Sequence, residues 1–402
     1  MNKIQSILDK STNAIELNLL LLGLRIYLKT EPASHLVEYI YYNRSALRWS
    51  VFVELCVIHR VYPAILKVLK SMPTAGIPTE TISQLEQQRS LGLRQSLQLA
   101  TETVRVTELL ETNGIRVIVL KGAALALQLY SDIGMRPTRD VDLLVDKSDA
   151  LKACSLLEQL GYQPHFEVFS SKSTKKQQSF LCKMYHHEEF YGINYSVEIH
   201  WDIQRWIDET TDFEKMFFEA DKFILSDRII RGVGATALFD YLATHGASHG
   251  WCRLRWLLDI ALLVQQHQKN NPPKDTDFSD FAYQALILVH CLLGISVNCK
   301  VLQQITAKQA DIANKATGYL ASYSGDLSAT FSREYFIYID YVLRIYFKRN
   351  YLLNFIFIFF SPNSLDFKTV SLPDKMFWLY YPLKPFIWIV RAVKSWRKSV
   401  SG

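Results

Sequence analysis

Residues 116–145 read RVIVLKGAALALQLYSDIGMRPTRDVDLLV, and the order of residue types in this stretch decides the fold. Arg116–Leu120 is a short β-branched run, the pattern of a buried strand. Lys121-Gly122 follows it, and Ala123–Tyr130 has the composition of a helix. Ser131–Arg139 contains Gly134 and Pro137 and reads as a loop. Asp140–Val145 returns to a strand pattern. The predicted order is therefore strand, turn, helix, loop, strand.

Upstream, apolar residues recur at helical spacing in Ile15–Leu28 and Leu47–Leu69. Ile82–Asn113 is a long helical pattern that stops at Asn113-Gly114, a suitable helix terminus. Downstream, Asp149–Leu160 is helical and Tyr195–Ile203 (YSVEIHWDI) reads as a third strand. Helical patterns return in Ala235–Gln266, with a break near residues 246–250, and again in Ala282–Ile295 and Lys308–Tyr323. The expected fold class is α+β: a small mixed sheet with helices, flanked by largely helical N- and C-terminal regions. The expected divisions are a helical region at 1–113, a catalytic core at 114–205, and a helical region with an aromatic and basic tail at 206–402.

Composition narrows the functional classes. The 402 residues are 49% hydrophobic and 21% charged, ordinary values for a globular protein. A net charge of +6 permits anionic partners without giving a nucleic-acid signature. The six cysteines are scattered with no CxxC pair, which argues for reduced thiols and a cytoplasmic location. The N-terminus lacks the pattern of a secretory signal. The longest uncharged apolar run, Tyr351–Phe360, has ten residues. A membrane span needs about 20, so no transmembrane segment is expected.

The chemistry concentrates in acids. Asp140 and Asp142 lie two apart on a predicted strand, and side chains at i and i+2 share one face. Two adjacent carboxylates repel unless a cation lies between them, and Mg²⁺ takes carboxylate and phosphate oxygens. The apolar residues Val141, Leu143, Leu144 and Val145 fix this strand in the core, where idle acids are expensive. A two-metal phosphoryl-transfer site also wants a third carboxylate from a neighbouring strand. Glu198 in Tyr195–Ile203 is the candidate, with His200 and Asp202 alternating onto its face. The Lys121-Gly122 turn adds a glycine that permits close backbone approach, a helix N-terminus suited to an anion, and a lysine charge.

With those residues in place, the stretch VLKGAALALQLYSDIGMRPTRDVDLLV resembles the uncharacterised nucleotidyltransferases of the DNA polymerase β-like superfamily. The shared pattern is an apolar-Lys-Gly turn, a helix ending in Tyr130, Arg136-Pro137, and Asp140-x-Asp142-Leu-Leu-Val. Val197–Trp201 (VEIHW) and Arg253–Leu263 (RLRWLLDIALL) are similar to two further family segments. The resemblance implies that Asp140, Asp142 and Glu198 bind metal and carry catalysis. It implies that Lys121 and Gly122 lie at the nucleotide phosphates, and Arg136, Arg139 and His200 are taken as further nucleotide-binding residues. The implied cofactor is Mg²⁺, as two ions, with Mn²⁺ as the alternative. The implied partners are a nucleoside triphosphate such as ATP and a hydroxyl acceptor of unspecified class. Gly122 is followed by Ala123, where better-known superfamily members have serine, and Glu198 stands where many have aspartate.

Other features weigh less. Three rival readings are a D-x-D glycosyltransferase, a kinase-like phosphoryl transferase, and a catalytically inactive antitoxin-like or regulatory module. His245 and His249 are at i, i+4 but lack the HExxH glutamate, so they read as structural or pocket residues. His186-His187-Glu188-Glu189 reads as a polar loop bordering the acceptor site. Asp259 is expected to be buried with Arg253 or Arg255 as partner. Lys172–Lys176 reads as a solvated basic loop. The basic, aromatic tail Trp388–Lys398 reads as a packed terminal helix, with contact to a membrane surface as the weaker alternative.

Overall fold

The computed structural model describes residues 2–72, 76–169, 173–193, 195–203, 211–270, 279–325, 333–346 and 360–400. Most of the apolar run read at Tyr351–Phe360 lies outside these residues. The fold is α+β, with seven strands among the described residues and helical regions before and after them. In chain order the elements that carry the argument are β1 (Val117–Val119), α1 (Gly122–Tyr130), β2 (Asp140–Val145), α2 (Ala150–Gln159), β3 (Gln163–Pro164), α3 (Lys175–Met184), β4 (His187–Tyr191), β5 (Ser196–His200), β6 (Asp221–Leu225) and β7 (Arg228–Gly232).

The chain divides into two compact units. One comprises Met1–Val104, Val119–Arg139 and Phe218–Tyr346. The other comprises Arg105–Ile118, Asp140–Phe217 and Phe347–Gly402.

The first unit is mainly helical. The pattern at Ile15–Leu28 becomes the helix Ala14–Tyr27, and that at Leu47–Leu69 becomes two helices, Trp49–Ile58 and Tyr62–Lys70. The break falls at Arg60, whose φ of 55° lies in the left-handed region, just before Pro63. Downstream, the break expected near 246–250 separates the helices Ala235–Ser248 and Leu254–Asn270. β7 pairs in parallel with β1 at Val119↔Gly232 and antiparallel with β6. A Cβ on Gly232 would come within 2.8 Å of the Phe223 ring and 3.2 Å of the Ala124 methyl, so α1 packs here only against a glycine.

The β6–β7 hairpin was not expected from sequence. Its two-residue turn is Ser226-Asp227, with φ of 48° and 62°. Two positive φ values make the turn whose twist suits a hairpin, and Asn-Gly or Asp-Gly is its usual signature. Here Ser-Asp adopts it without a glycine to announce it.

The second unit holds four strands in the order β3-β4-β5-β2. β3–β4 and β4–β5 are antiparallel, and β5–β2 is parallel. Val141, Leu143 and Val145 of β2, Val197 and Ile199 of β5, and Phe190 of β4 are buried. By alternation and register they share one face, on which each such side chain contributes about 1.5–3 kcal/mol by leaving water. The opposite face is polar.

The basic run Lys172–Lys176, expected to be a solvated loop, begins outside the described residues and ends in α3. Lys175 and Lys176 are exposed, but they form the first turn of a helix. Thr174 caps it by accepting from the Gln177 amide while Gln177 returns to the Thr174 amide, a capping box. The C-terminal segment of the same unit ends in the helix Tyr380–Val400. Lys384 is buried against Asp366, which also accepts from Arg391 at 3.2 Å. Phe386, Trp388 and Ile389 of this helix are exposed. No helix of the described residues is long and apolar enough to cross a membrane.

Candidate functional site

Strand register assembles the polar face of the second unit. Asp142 pairs with Glu198, Asp140 with Ser196, and Leu144 with His200 across β2–β5. Across β5–β4, Glu198 pairs with Glu189 and His200 with His187. Residues directly opposite one another share a face, and so do residues two apart. Asp140, Asp142, Glu189, Glu198, His187 and His200 therefore all project from the same side of three strands.

Asp142 is almost fully buried and Glu198 half-buried. Nε2 of His200 lies 3.0 Å from Oε2 of Glu198 and 3.5 Å from Oδ1 of Asp142. Nε2 of His187 lies 3.8 Å from the same Glu198 oxygen. Burial lowers the basicity of the His200 imidazole, but its contacts with Asp142 and Glu198 and their charges outweigh this and raise its pKa. Glu189 is raised as well, first by burial and then by the charges of Glu198 and Asp140, against a hydrogen bond from the Tyr191 hydroxyl. Four carboxylates, Asp140, Asp142, Glu189 and Glu198, thus share this face with the imidazoles of His187 and His200.

A divalent cation fits that donor set. Ligand atoms of Asp142, Glu198 and His200 all lie within 4.8 Å of one another. Oxygens around one Mg²⁺ at about 2.1 Å are separated by roughly 3–4 Å, a spacing of the same order, with water and substrate oxygens to complete the octahedron. Nδ1 of His200 is buried and has no hydrogen-bond partner among the described residues.

β4 is the part that sequence reading missed. Residues 186–189 were expected to form a loop, yet His187–Tyr191 is a strand. The two glutamates go to opposite faces. Glu189 joins the polar face, whereas Glu188 is buried and its carboxylate accepts the amides of Phe166 and Val168, both at 2.6 Å. The available signal was period-2 alternation, with Glu188 and Phe190 inward and His187, Glu189 and Tyr191 on the other side. Asp202 lies just beyond β5, where its carboxylate accepts from the Thr211 hydroxyl.

The remaining anticipated residues belong to the first unit. Lys121 is buried and precedes α1, whose first residue, Gly122, has φ of 59°. Arg139 is exposed. Arg136 is only 2% exposed, and its guanidinium is forked onto Asp259 by three contacts of 3.0–3.1 Å. The Tyr130 hydroxyl donates to the same carboxylate at 2.7 Å. Asp259 thus has Arg136 as its partner, while Arg255 donates to the carbonyl of Pro137 and Arg253 to the Tyr323 hydroxyl. The reason is reach: Arg136 follows α1 and is carried to the helix Leu254–Asn270 alongside Tyr130. His249 stacks on Trp256 with ring centres 5.0 Å apart, and His245 meets the Trp256 ring edge-on at 5.6 Å and the His249 ring at 4.7 Å, an arrangement that fits packing.

A model of the uncharacterised nucleotidyltransferase family matches residues 45–294, more than half of the chain. The protein belongs to this family. The resemblance carried by Lys121–Val145 is thereby borne out, and the matched span runs through all seven strands. Membership in a nucleotidyltransferase family supports a transferase and implies a nucleotide substrate. No curated protein and no solved structure matches the chain.

Proposed function

We propose that the protein moves a nucleoside monophosphate from a nucleoside triphosphate, such as ATP, to a hydroxyl of a small-molecule, sugar, lipid or peptide acceptor. The acceptor oxygen attacks the α-phosphorus, the α–β phosphoanhydride bond breaks, and pyrophosphate leaves. The observation that carries this reading is the register pair Asp142↔Glu198 with His200 alongside. A D-x-D glycosyltransferase needs no third carboxylate opposite its acids, so this pairing favours nucleotidyl transfer.

In this reading Asp140, Asp142 and Glu198 hold Mg²⁺, as two ions, with Mn²⁺ as a substitute. Bound there, the metal would neutralise phosphate charge and acidify the attacking hydroxyl. The side chains of the chain do the rest. Glu198 accepts the hydroxyl proton, and the His200 imidazole at 3.0 Å holds that carboxylate in place. Lys121, Gly122 and Arg139 serve as phosphate-binding groups, through charge and through the amides that a helix N-terminus leaves without intrahelical partners. Arg136, committed to Asp259, acts as a frame for the loop between α1 and β2. Catalysis then rests on positioning and charge neutralisation, the usual case for phosphoryl chemistry.

The experiment is transfer of label from each nucleoside triphosphate, with Mg²⁺, to components of a cell extract, with product mass as the readout. A nucleotidylated product supports the reading, and a phosphorylated one replaces it with kinase-like chemistry. Absence of transfer together with absence of nucleotide binding would support the inactive-module alternative.

A further inference from the structure

The carboxylate cluster does not use all the metal-binding chemistry on this face. Beside it, ligand nitrogens of His186, His187 and His200 lie within 4.8 Å of one another. His186 and His187 are consecutive at the start of β4, and His187 pairs in register with His200 on β5. The ring centres of His186 and His187 are 4.4 Å apart, and those of His187 and His200 are 4.8 Å apart.

Three details give this cluster the character of a ligand set. Nε2 of His186 and Nδ1 of His187 face each other at 3.2 Å. Two imidazole nitrogens on one tetrahedral Zn²⁺, at 2.0–2.1 Å each, stand about 3.3 Å apart. Next, His187 and His200 each turn one nitrogen towards Glu198, at 3.8 and 3.0 Å. A carboxylate hydrogen-bonded to one imidazole nitrogen, as Glu198 is to Nε2 of His200, fixes the tautomer and leaves the other nitrogen as a ligand atom. Finally, the other nitrogen of His200, Nδ1, is buried with no hydrogen-bond partner among the described residues.

We propose that His186, His187 and His200 form a cation site for an imidazole-preferring divalent ion of the Zn²⁺ class, next to the carboxylate cluster and joined to it through His200 and Glu198. Imidazole suits Zn²⁺ and its neighbours, whereas Mg²⁺ favours carboxylate, carbonyl and water oxygens. The two groups of donors on this face thus differ in the cation they select. The site does not depend on nucleotidyl transfer, and it stands or falls on metal binding alone. Because His200 and Glu198 are shared, an ion at the histidines withdraws protons from the imidazoles and changes the charge that the carboxylates meet.

The test uses the full-length protein, stripped with a chelator and titrated with Co²⁺ followed by Zn²⁺. The expected result is one equivalent of Co²⁺ with nitrogen-ligated visible absorption bands, displaced by Zn²⁺ and retained in a large excess of Mg²⁺. His186→Gln and His187→Gln should each weaken binding by at least about tenfold, and His245→Gln should not change it. A measurement on the unaltered chain keeps the proposal testable if a variant misfolds: Zn²⁺ should protect His186 and His187, but not His245, from carbethoxylation read by peptide mass. Absence of binding, displacement by Mg²⁺, unchanged affinity in both variants, or absence of protection overturns the proposal. The Mg²⁺-dependent transfer assay is read separately, so failure of the histidine site and failure of the nucleotidyltransferase reading are distinguishable.

Discussion

Asp142 on β2 and Glu198 on β5 stand directly opposite one another in a parallel strand pair, with Nε2 of His200 3.5 Å from the first carboxylate and 3.0 Å from the second. Fifty-six residues of sequence separate the two acids, and strand register removes that separation. A buried aspartate opposite a half-buried glutamate is unfavourable unless positive charge meets them. His200 meets both carboxylates, and a cation bound beside them would add to that positive charge.

Cation binding should therefore show as stability. A ligand that binds only the folded state adds about 2.7 kcal/mol at a concentration 100 times its Kd. Saturating Mg²⁺ or Mn²⁺ is expected to raise Tm by several degrees in the native protein, and the rise should vanish in Asp142→Asn. Differential scanning calorimetry with and without chelator measures it. An equal rise in both proteins would move the cation away from Asp142.

The Arg136–Asp259 pair makes a prediction about folding. Both side chains are about 1% exposed. Removing one partner from a buried pair leaves an uncompensated charge and typically destabilises by about 3–5 kcal/mol. Asp259→Ala is expected to lower the unfolding free energy by that order, seen as a lower urea midpoint, and the apolar pair Arg136→Met with Asp259→Leu should recover much of the loss. If Asp259→Ala unfolds at the native midpoint, the pair is not an anchor.

Glu188 gives the fold a pH dependence. Burial pushes its carboxyl up from 4.5 to about 7, although two backbone amides donate to it. The folded state then binds the proton more tightly than the unfolded chain does. Stability from this group is full below about pH 4.5, falls as pH rises towards 7, and is level above that. A shift of this size corresponds to roughly 3 kcal/mol. The difference in unfolding free energy between the native protein and Glu188→Gln should narrow or reverse across pH 5 to 8. A difference that stays constant over that window contradicts the assignment.

The β6–β7 turn offers a stabilising change. Ser226 and Asp227 both hold positive φ, which costs an ordinary residue about 1 kcal/mol or more. Ser226→Asn with Asp227→Gly places the favoured residues there and is expected to stabilise by about 1 kcal/mol, read from denaturant melts.

The legible parts of the molecule were those where pattern and chemistry agree. β2 falls at the expected residues because acids precede an apolar run, and β5 lies inside the expected strand. Glu198 was identified as the third acid because alternation placed it on a strand face, and register then brought it opposite Asp142. β4 was hidden because His187, Glu188 and Glu189 are all polar, and only a contact far along the chain explains why Glu188 is inside. The partner of Asp259 was hidden for the same kind of reason. Arg253 and Arg255 are close in sequence, but the helix geometry directs them elsewhere, and Arg136 arrives from 123 residues away.

The most direct measurement is transfer of a nucleoside monophosphate from a labelled nucleoside triphosphate by the native protein and by Asp142→Asn, side by side with Mg²⁺. Metal stabilisation of the transition state is worth several kcal/mol, and each 1.36 kcal/mol is tenfold in rate. The native protein is expected to give a nucleotidylated product, and Asp142→Asn, folded by circular dichroism, to be slower by at least about 1,000-fold. Full transfer activity in Asp142→Asn would contradict it.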